Sequence, residues 1–138
     1  MKTKAISSIF VLFAIATGMA SMAPDAFANH PEVTIVAADN SGIPTDCNAG
    51  WPDSTTSDCY TPSTATVEVG GVVTMINSDA SGMMHTFTSG TGPGAETGVF
   101  DSGYLQADML YEWSPTEAGE VPYYCMLHPW MAGTIIVE

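Results

Sequence analysis

The chain has 138 residues, a formal net charge of −13 and only two basic side chains, Lys2 and Lys4. Everything after Lys4 is free of Lys and Arg, so the surface repels phosphate backbones, which excludes nucleic acid and makes anionic lipid a poor partner. A chain of this length carries a one-domain expectation.

Residues 1–28 read as an export signal. Lys2 and Lys4 precede the apolar run from Ala5 to Ala16, and small residues lead to Ala26-Phe27-Ala28, an A-x-A-like cleavage site. The apolar run is shorter than the roughly 20 residues that span a bilayer, which disfavours an uncleaved anchor. Cleavage near Ala28 leaves 29–138 as the exported chain, periplasmic or otherwise outside the cytoplasm. It keeps all but one of the 15 acidic side chains, since only Asp25 is removed. Such a surface steers a cationic partner protein. Its other use is solubility in a salty medium, where screening within about 10 Å leaves little steering. Peripheral membrane association stays open, and a monomer is expected.

Along 29–138, short β-branched runs alternate with Gly, Pro, Asn, Asp and Ser clusters. The segment 32–38, "EVTIVAA", reads as a first strand. Residues 39–63 form a long polar insertion containing Cys47 and Cys59. Three cysteines in an exported chain leave one unpaired. An oxidising compartment predicts a Cys47–Cys59 bridge, contributing about 3 kcal/mol. Cys125 is then the free thiol. Strands follow at 64–69 and 72–77, separated by Gly70-Gly71 in the manner of a tight hairpin turn. "HTFTS" (85–89) is another strand, "SGTGPGAETG" (89–98) a loop, and 103–108 a short helical turn. The last strands are 109–113, 121–125 and 133–138. The pattern is all-β, an antiparallel sandwich or barrel. Alternation puts Val121, Tyr123 and Cys125 on one inward face, with the thiol at the inner end of its strand.

"CMLHPWM" (125–131) places a thiol, an imidazole and a thioether within seven positions. Thiolate and imidazole suit Cu, Zn or Fe, and the thioether favours copper. Structural zinc needs further Cys/His pairs, and c-type haem needs C-x-x-C-H; neither is present. A Cys125 nucleophile with His128 as base leaves the thioether unexplained. Of the other histidines, His30 lies beside the expected new terminus, where chains fray. His85 opens an alternating segment, and beside the Cys125-x₂-His128-x₂-Met131 loop it reads as the further ligand. Together these make the His₂Cys plane with a weak axial Met of blue-copper sites.

On these residues the chain resembles the cupredoxins, most closely the amicyanin branch of the plastocyanin-like proteins. The resemblance covers most of 64–138 and is densest in "FDSGYLQADMLYEWSPTEAGEVPYYCMLHPWMAGTIIVE". It implies an eight-strand Greek-key sandwich with one copper ion under loops at one end. His85 and His128 would supply imidazole nitrogens, Cys125 a short thiolate bond and Met131 a long axial contact. The loop is the shortest of the family's variants, stiffened by Pro129. Where the family usually has Asn after the first His, this chain has Thr86, whose hydroxyl makes fewer hydrogen bonds and so alters the potential. The 39–63 insertion exceeds the usual plan, and it either covers the copper end or lies far from it.

The resemblance implies one-electron transfer through the edge of His128, in an apolar patch with Met83, Met84, Pro129 and Trp130 as neighbours. The alternatives are a copper redox enzyme acting on dioxygen or a nitrogen oxide at an open axial position, and copper delivery or storage through Met83-Met84-His85. Asp79, the nearest carboxylate before His85, reads as a solvated turn residue.

Overall fold

A computed structural model describes residues 31–44, 47 and 59–138. The expected signal segment, His30 and most of 45–58 lie outside them. The described residues contain nine strands and no helix. They are β1 (Glu32–Ala37), β2 (Tyr60–Thr61), β3 (Thr64–Val67), β4 (Val72–Asn77), β5 (Thr88–Gly90), β6 (Glu96–Asp101), β7 (Leu110–Trp113), β8 (Gly119–Tyr124) and β9 (Ala132–Val137). One sheet has the order β2-β1-β4-β7 and the other β3-β9-β8-β5-β6. The sandwich is the expected one, with the two-residue β2 as an extra strand.

Period-two patterning builds the core. In β4 alternate residues are buried, so Val73, Met75 and Asn77 face inward. Opposite them, Ala65, Val67, Ile135 and Val137 are buried from β3 and β9. Burying each large aliphatic side chain contributes about 1.5–3 kcal/mol. Nearer the β8 end the filling is aromatic. The Tyr60 ring lies 4.7 Å from Phe87 and 5.0 Å from Tyr123, centroid to centroid.

Several expectations are corrected. First, the sandwich is not purely antiparallel, because β1 runs parallel to β4 and β3 parallel to β9. The hairpin at Gly70-Gly71 is overturned as well: β3 and β4 belong to different sheets, and the glycines carry the chain across the sandwich. Gly70 has φ 83°, and a Cβ on Gly71 would sit 2.6 Å from the Pro31 carbonyl oxygen. Second, 89–98 is not one loop. β5 and β6 enter it from either side as an antiparallel pair with a register shift between Thr88 and Gly90. Gly90, at φ 146° where an added Cβ would stand 2.5 Å from the Ala95 carbonyl oxygen, makes the irregular pairing possible. Third, the strand expected over 85–89 is regular only from Thr88; His85 pairs in an isolated bridge with Leu105. Fourth, no helical turn forms at 103–108. Leu105 exchanges both backbone bonds with His85, and the Asp108 amide donates to the Asn77 carbonyl, so no helical ladder is left.

Candidate metal centre

Cys125 follows the last residue of β8, at the end of the inward row expected from alternation, and is fully buried. The next six residues fold into a closed loop. The Cys125 amide donates to the Met131 carbonyl at 3.1 Å, and the Met131 amide donates to the His128 carbonyl at 2.9 Å. This folds His128 back beside the thiol and carries the Met131 side chain into the core, fully buried.

His85 arrives from the other segment. Its backbone is clamped to Leu105, and the chain before it is held by Asn77, a buried amide at the inner end of β4. Asn77 Nδ2 donates to the Met83 carbonyl at 2.8 Å and to the Leu105 carbonyl at 2.9 Å; its Oδ1 accepts from the Asp79 amide at 3.0 Å. A polar residue at a core position is thereby satisfied, and it fixes both loops that flank His85.

The two segments bring three donor atoms together. Cys125 Sγ lies 3.6 Å from His128 Nδ1 and 3.9 Å from His85 Nδ1, and the two Nδ1 atoms are 3.2 Å apart. All three fall within 4.8 Å of one another, close enough to hold one metal ion. A thiolate and two imidazoles are the soft-to-intermediate donors that copper prefers. Burial pushes the Cys125 thiol up, but His85 and the backbone amides of Thr86, Leu127 and His128 outweigh it and hold the thiol below its ordinary value. Burial lowers His128, and His85 beside it adds to the effect. Both shifts favour the forms that bind metal.

Thr86 does the work expected of its hydroxyl. Its Oγ1 accepts from the Met126 amide at 2.9 Å and lies 3.0 Å from Thr88 Oγ1, which donates to Asp101 at 3.2 Å. The Thr86 amide donates to Cys125 Sγ at 3.3 Å.

Two features were not legible beforehand. Asp79 is not a solvated turn residue: it is fully buried, and its Oδ2 accepts from His85 Nε2 at 2.8 Å. The insertion's first residues do lie over the site. Ser41 is buried with Oγ 3.3 Å from His85 Nε2, and its carbonyl accepts from Trp130 Nε1 at 3.0 Å. A Cβ on Gly42 would stand 3.0 Å from His128 Nε2 and tighter still against Met83 Sδ. The far side of this strap is anchored by the Cys47–Cys59 disulfide, formed as expected with a Cα–Cα distance of 4.7 Å. Cys125 is the free cysteine.

These features define an all-β sandwich with a buried Cys/His/His metal centre at one end. No protein-family model matches the chain, and no curated protein does. Solved structures do. A novel purple cupredoxin from Nitrosopumilus maritimus is similar at a TM-score of 0.62 and 27% identity, over 77% of this chain and 99% of that one. A methionine-to-alanine mutant of amicyanin in its Cu(I) form is similar at 0.51 and 21%, over 78% and 82%. A Cu-containing nitrite reductase from Thermus scotoductus is similar at 0.55 and 22%, and the match covers 78% of this chain but 22% of the reductase. The chain has the cupredoxin fold, and its His/Cys/His cluster with a methionine nearby suggests a type 1 copper site. The disulfide suggests a protein that works outside the cytoplasm.

Proposed function

We propose that the chain binds one copper ion, which His85 Nδ1, Cys125 Sγ and His128 Nδ1 would hold with the Met131 thioether as a further, weaker ligand, and carries single electrons between partner proteins. The observation that carries this reading is the convergence of the three donor atoms, from loops 40 residues apart, in a buried pocket. Copper held there supplies a one-electron couple. The protein keeps the donors in place through the closed 125–131 loop and the Thr86 bonds, so the geometry changes little between oxidation states.

Electrons would pass at the edge of His128, which is half-buried. Met84, Met126, Leu127 and Ile43, each 39–45% exposed, belong to the segments that border it. The expected neighbour Trp130 lies 5.3 Å from the His128 ring, centroid to centroid. Small apolar surfaces of this kind suit weak redox encounters, and the surrounding acidic surface favours a partner with a basic rim. Copper delivery is less well supported: Met84 is exposed while His85 is fully buried, so Met83-Met84-His85 do not present one donor set.

The test is the visible spectrum of the copper-loaded protein with and without azide or nitrite. An electron carrier gives an intense thiolate-to-copper band that ignores the anions. A band that shifts with them indicates an open coordination position and the enzymatic alternative, and rapid loss of Cu(I) to a modest chelator indicates delivery.

A further inference from the structure

Asp79 is a fully buried carboxylate in a chain without Lys or Arg after residue 4. Buried charges are costly unless paired. Its two oxygens serve four donors. Oδ1 accepts from the Asn40 amide at 3.1 Å, the Ser81 amide at 2.9 Å and the Ser81 hydroxyl at 2.5 Å. Oδ2 accepts from His85 Nε2 at 2.8 Å. Three of these donors are neutral, and the fourth belongs to a histidine whose other nitrogen faces Cys125 and His128. The cation that balances this carboxylate is therefore to be sought on the far side of the His85 ring.

Resting on the copper reading above, we infer that Asp79 is the positioning residue of the centre: it fixes His85 as the Nε2–H tautomer, presenting the Nδ1 lone pair to the metal, and its charge favours the cupric over the cuprous state. A carboxylate behind a metal-binding imidazole orients the ring and raises its basicity. The charge argument is arithmetic. One thiolate and one carboxylate balance Cu(II) and leave the buried centre neutral. Adding an electron to give Cu(I) leaves one net negative charge, which a low-dielectric interior disfavours. The same carboxylate holds Asn40, so the strap over the site and the orientation of His85 depend on one side chain. An asparagine cannot replace it. With a single acceptor oxygen, the amide fails either the strap donors or the imidazole.

Two measurements decide this. In the wild-type protein loaded with closed-shell Cu(I), nitrogen NMR of the His85 ring should show a proton on Nε2, slow to exchange with solvent, and none on Nδ1; a ring protonated on Nδ1, or an Nε2 proton that exchanges freely, overturns the positioning role, and no variant is needed to see it. In the copper-loaded protein, Asp79→Asn should raise the reduction potential by at least a tenfold change in the Cu(II)/Cu(I) ratio, about 59 mV for one electron. Ser81→Ala, which removes a donor and keeps the charge, should leave the potential within threefold. Equal potentials in wild type and Asp79→Asn overturn the charge role, and so does an absence of copper binding by the wild type. That last result also sinks the copper reading, whereas an unmoved potential with an intact thiolate band leaves copper binding standing.

Discussion

Thr86 holds Cys125 and its loop by two routes at once: its amide donates to the sulfur at 3.3 Å, and its hydroxyl accepts from the Met126 amide at 2.9 Å. The backbone bond survives any substitution other than proline, but the hydroxyl bond does not. Thr86→Val keeps the shape and removes the partner of the part-buried Met126 amide, at a cost of about 0.5–1.5 kcal/mol. Urea denaturation should show that loss, and the copper-loaded variant should show a shifted thiolate band because the loop carrying the sulfur is loosened. Thr86→Ser should restore both.

Gly42 has no room for a side chain. A single methyl meets Met83 Sδ, the flexible part of a side chain, and also the edge of the His128 ring, so Gly42→Ala should cost about 1–3 kcal/mol. Gly42→Val adds branches beside His128 Nε2, 3.0 Å from the Cβ position. It must lift the strap or push the ring. The expected result is a slower electron exchange with a small redox protein, measured by stopped flow, at nearly unchanged copper content.

Asn77 ties three groups from two loops. Asn77→Leu removes the partners of the Met83 and Leu105 carbonyls and the Asp79 amide in one step. The Leu105 carbonyl keeps the His85 amide, but the Met83 carbonyl and the Asp79 amide lose the Asn77 side chain, at about 1–3 kcal/mol for each group left buried and unpaired, and the costs are not additive. The variant should unfold at lower denaturant and bind copper more weakly by titration, because His85 loses the loops that place it. Asn77→Asp keeps the acceptor but sets a buried carboxylate oxygen against the Met83 and Leu105 carbonyls, so at neutral pH it should be no milder than Asn77→Leu.

Glu96 and Tyr124 form a pair beside the centre, Tyr124 directly preceding Cys125 in the chain, the tyrosine hydroxyl donating to Glu96 Oε1 at 2.6 Å. The Tyr124 bond holds Glu96 below its ordinary value, and the carboxylate pushes Tyr124 up to about 12. Folding therefore gains from Glu96 above its unfolded value of 4.5 and loses that gain as pH falls below it. For Tyr124 the gain is present below its unfolded value of 10.0 and is lost as pH rises through about 12. The stability difference between wild type and Tyr124→Phe should form a plateau between these limits and shrink on both sides. Urea midpoints across the pH range will show it; a flat difference contradicts the pair.

How much of this was readable in the chain depends on the range of the interaction. Alternation located β4, β8 and β9 within two residues, because each has one face in a single core. The Cys125-His128-Met131 loop was legible because its donors are local, and His85 because so few other donors exist. The β5–β6 pair was not, since its glycines signal a loop to any local rule and pair only through a bulge. Asp79 resembled any turn aspartate. Its burial depends on Asn40 and His85, one brought by the strap and the other by the Leu105 bridge, and neither contact has a local signature. The strap itself was equally hidden, because the ties of Ser41 to His85 and Trp130 span 44 and 89 residues.

The most direct check on the central claim is X-ray absorption at the copper edge of the loaded wild-type protein and of Cys125→Ser. The account predicts one short sulfur scatterer and two imidazole nitrogens in the wild type, with the short sulfur gone in the variant. Copper bound through nitrogen and oxygen alone in the wild type, or a short sulfur that survives the substitution, contradicts it.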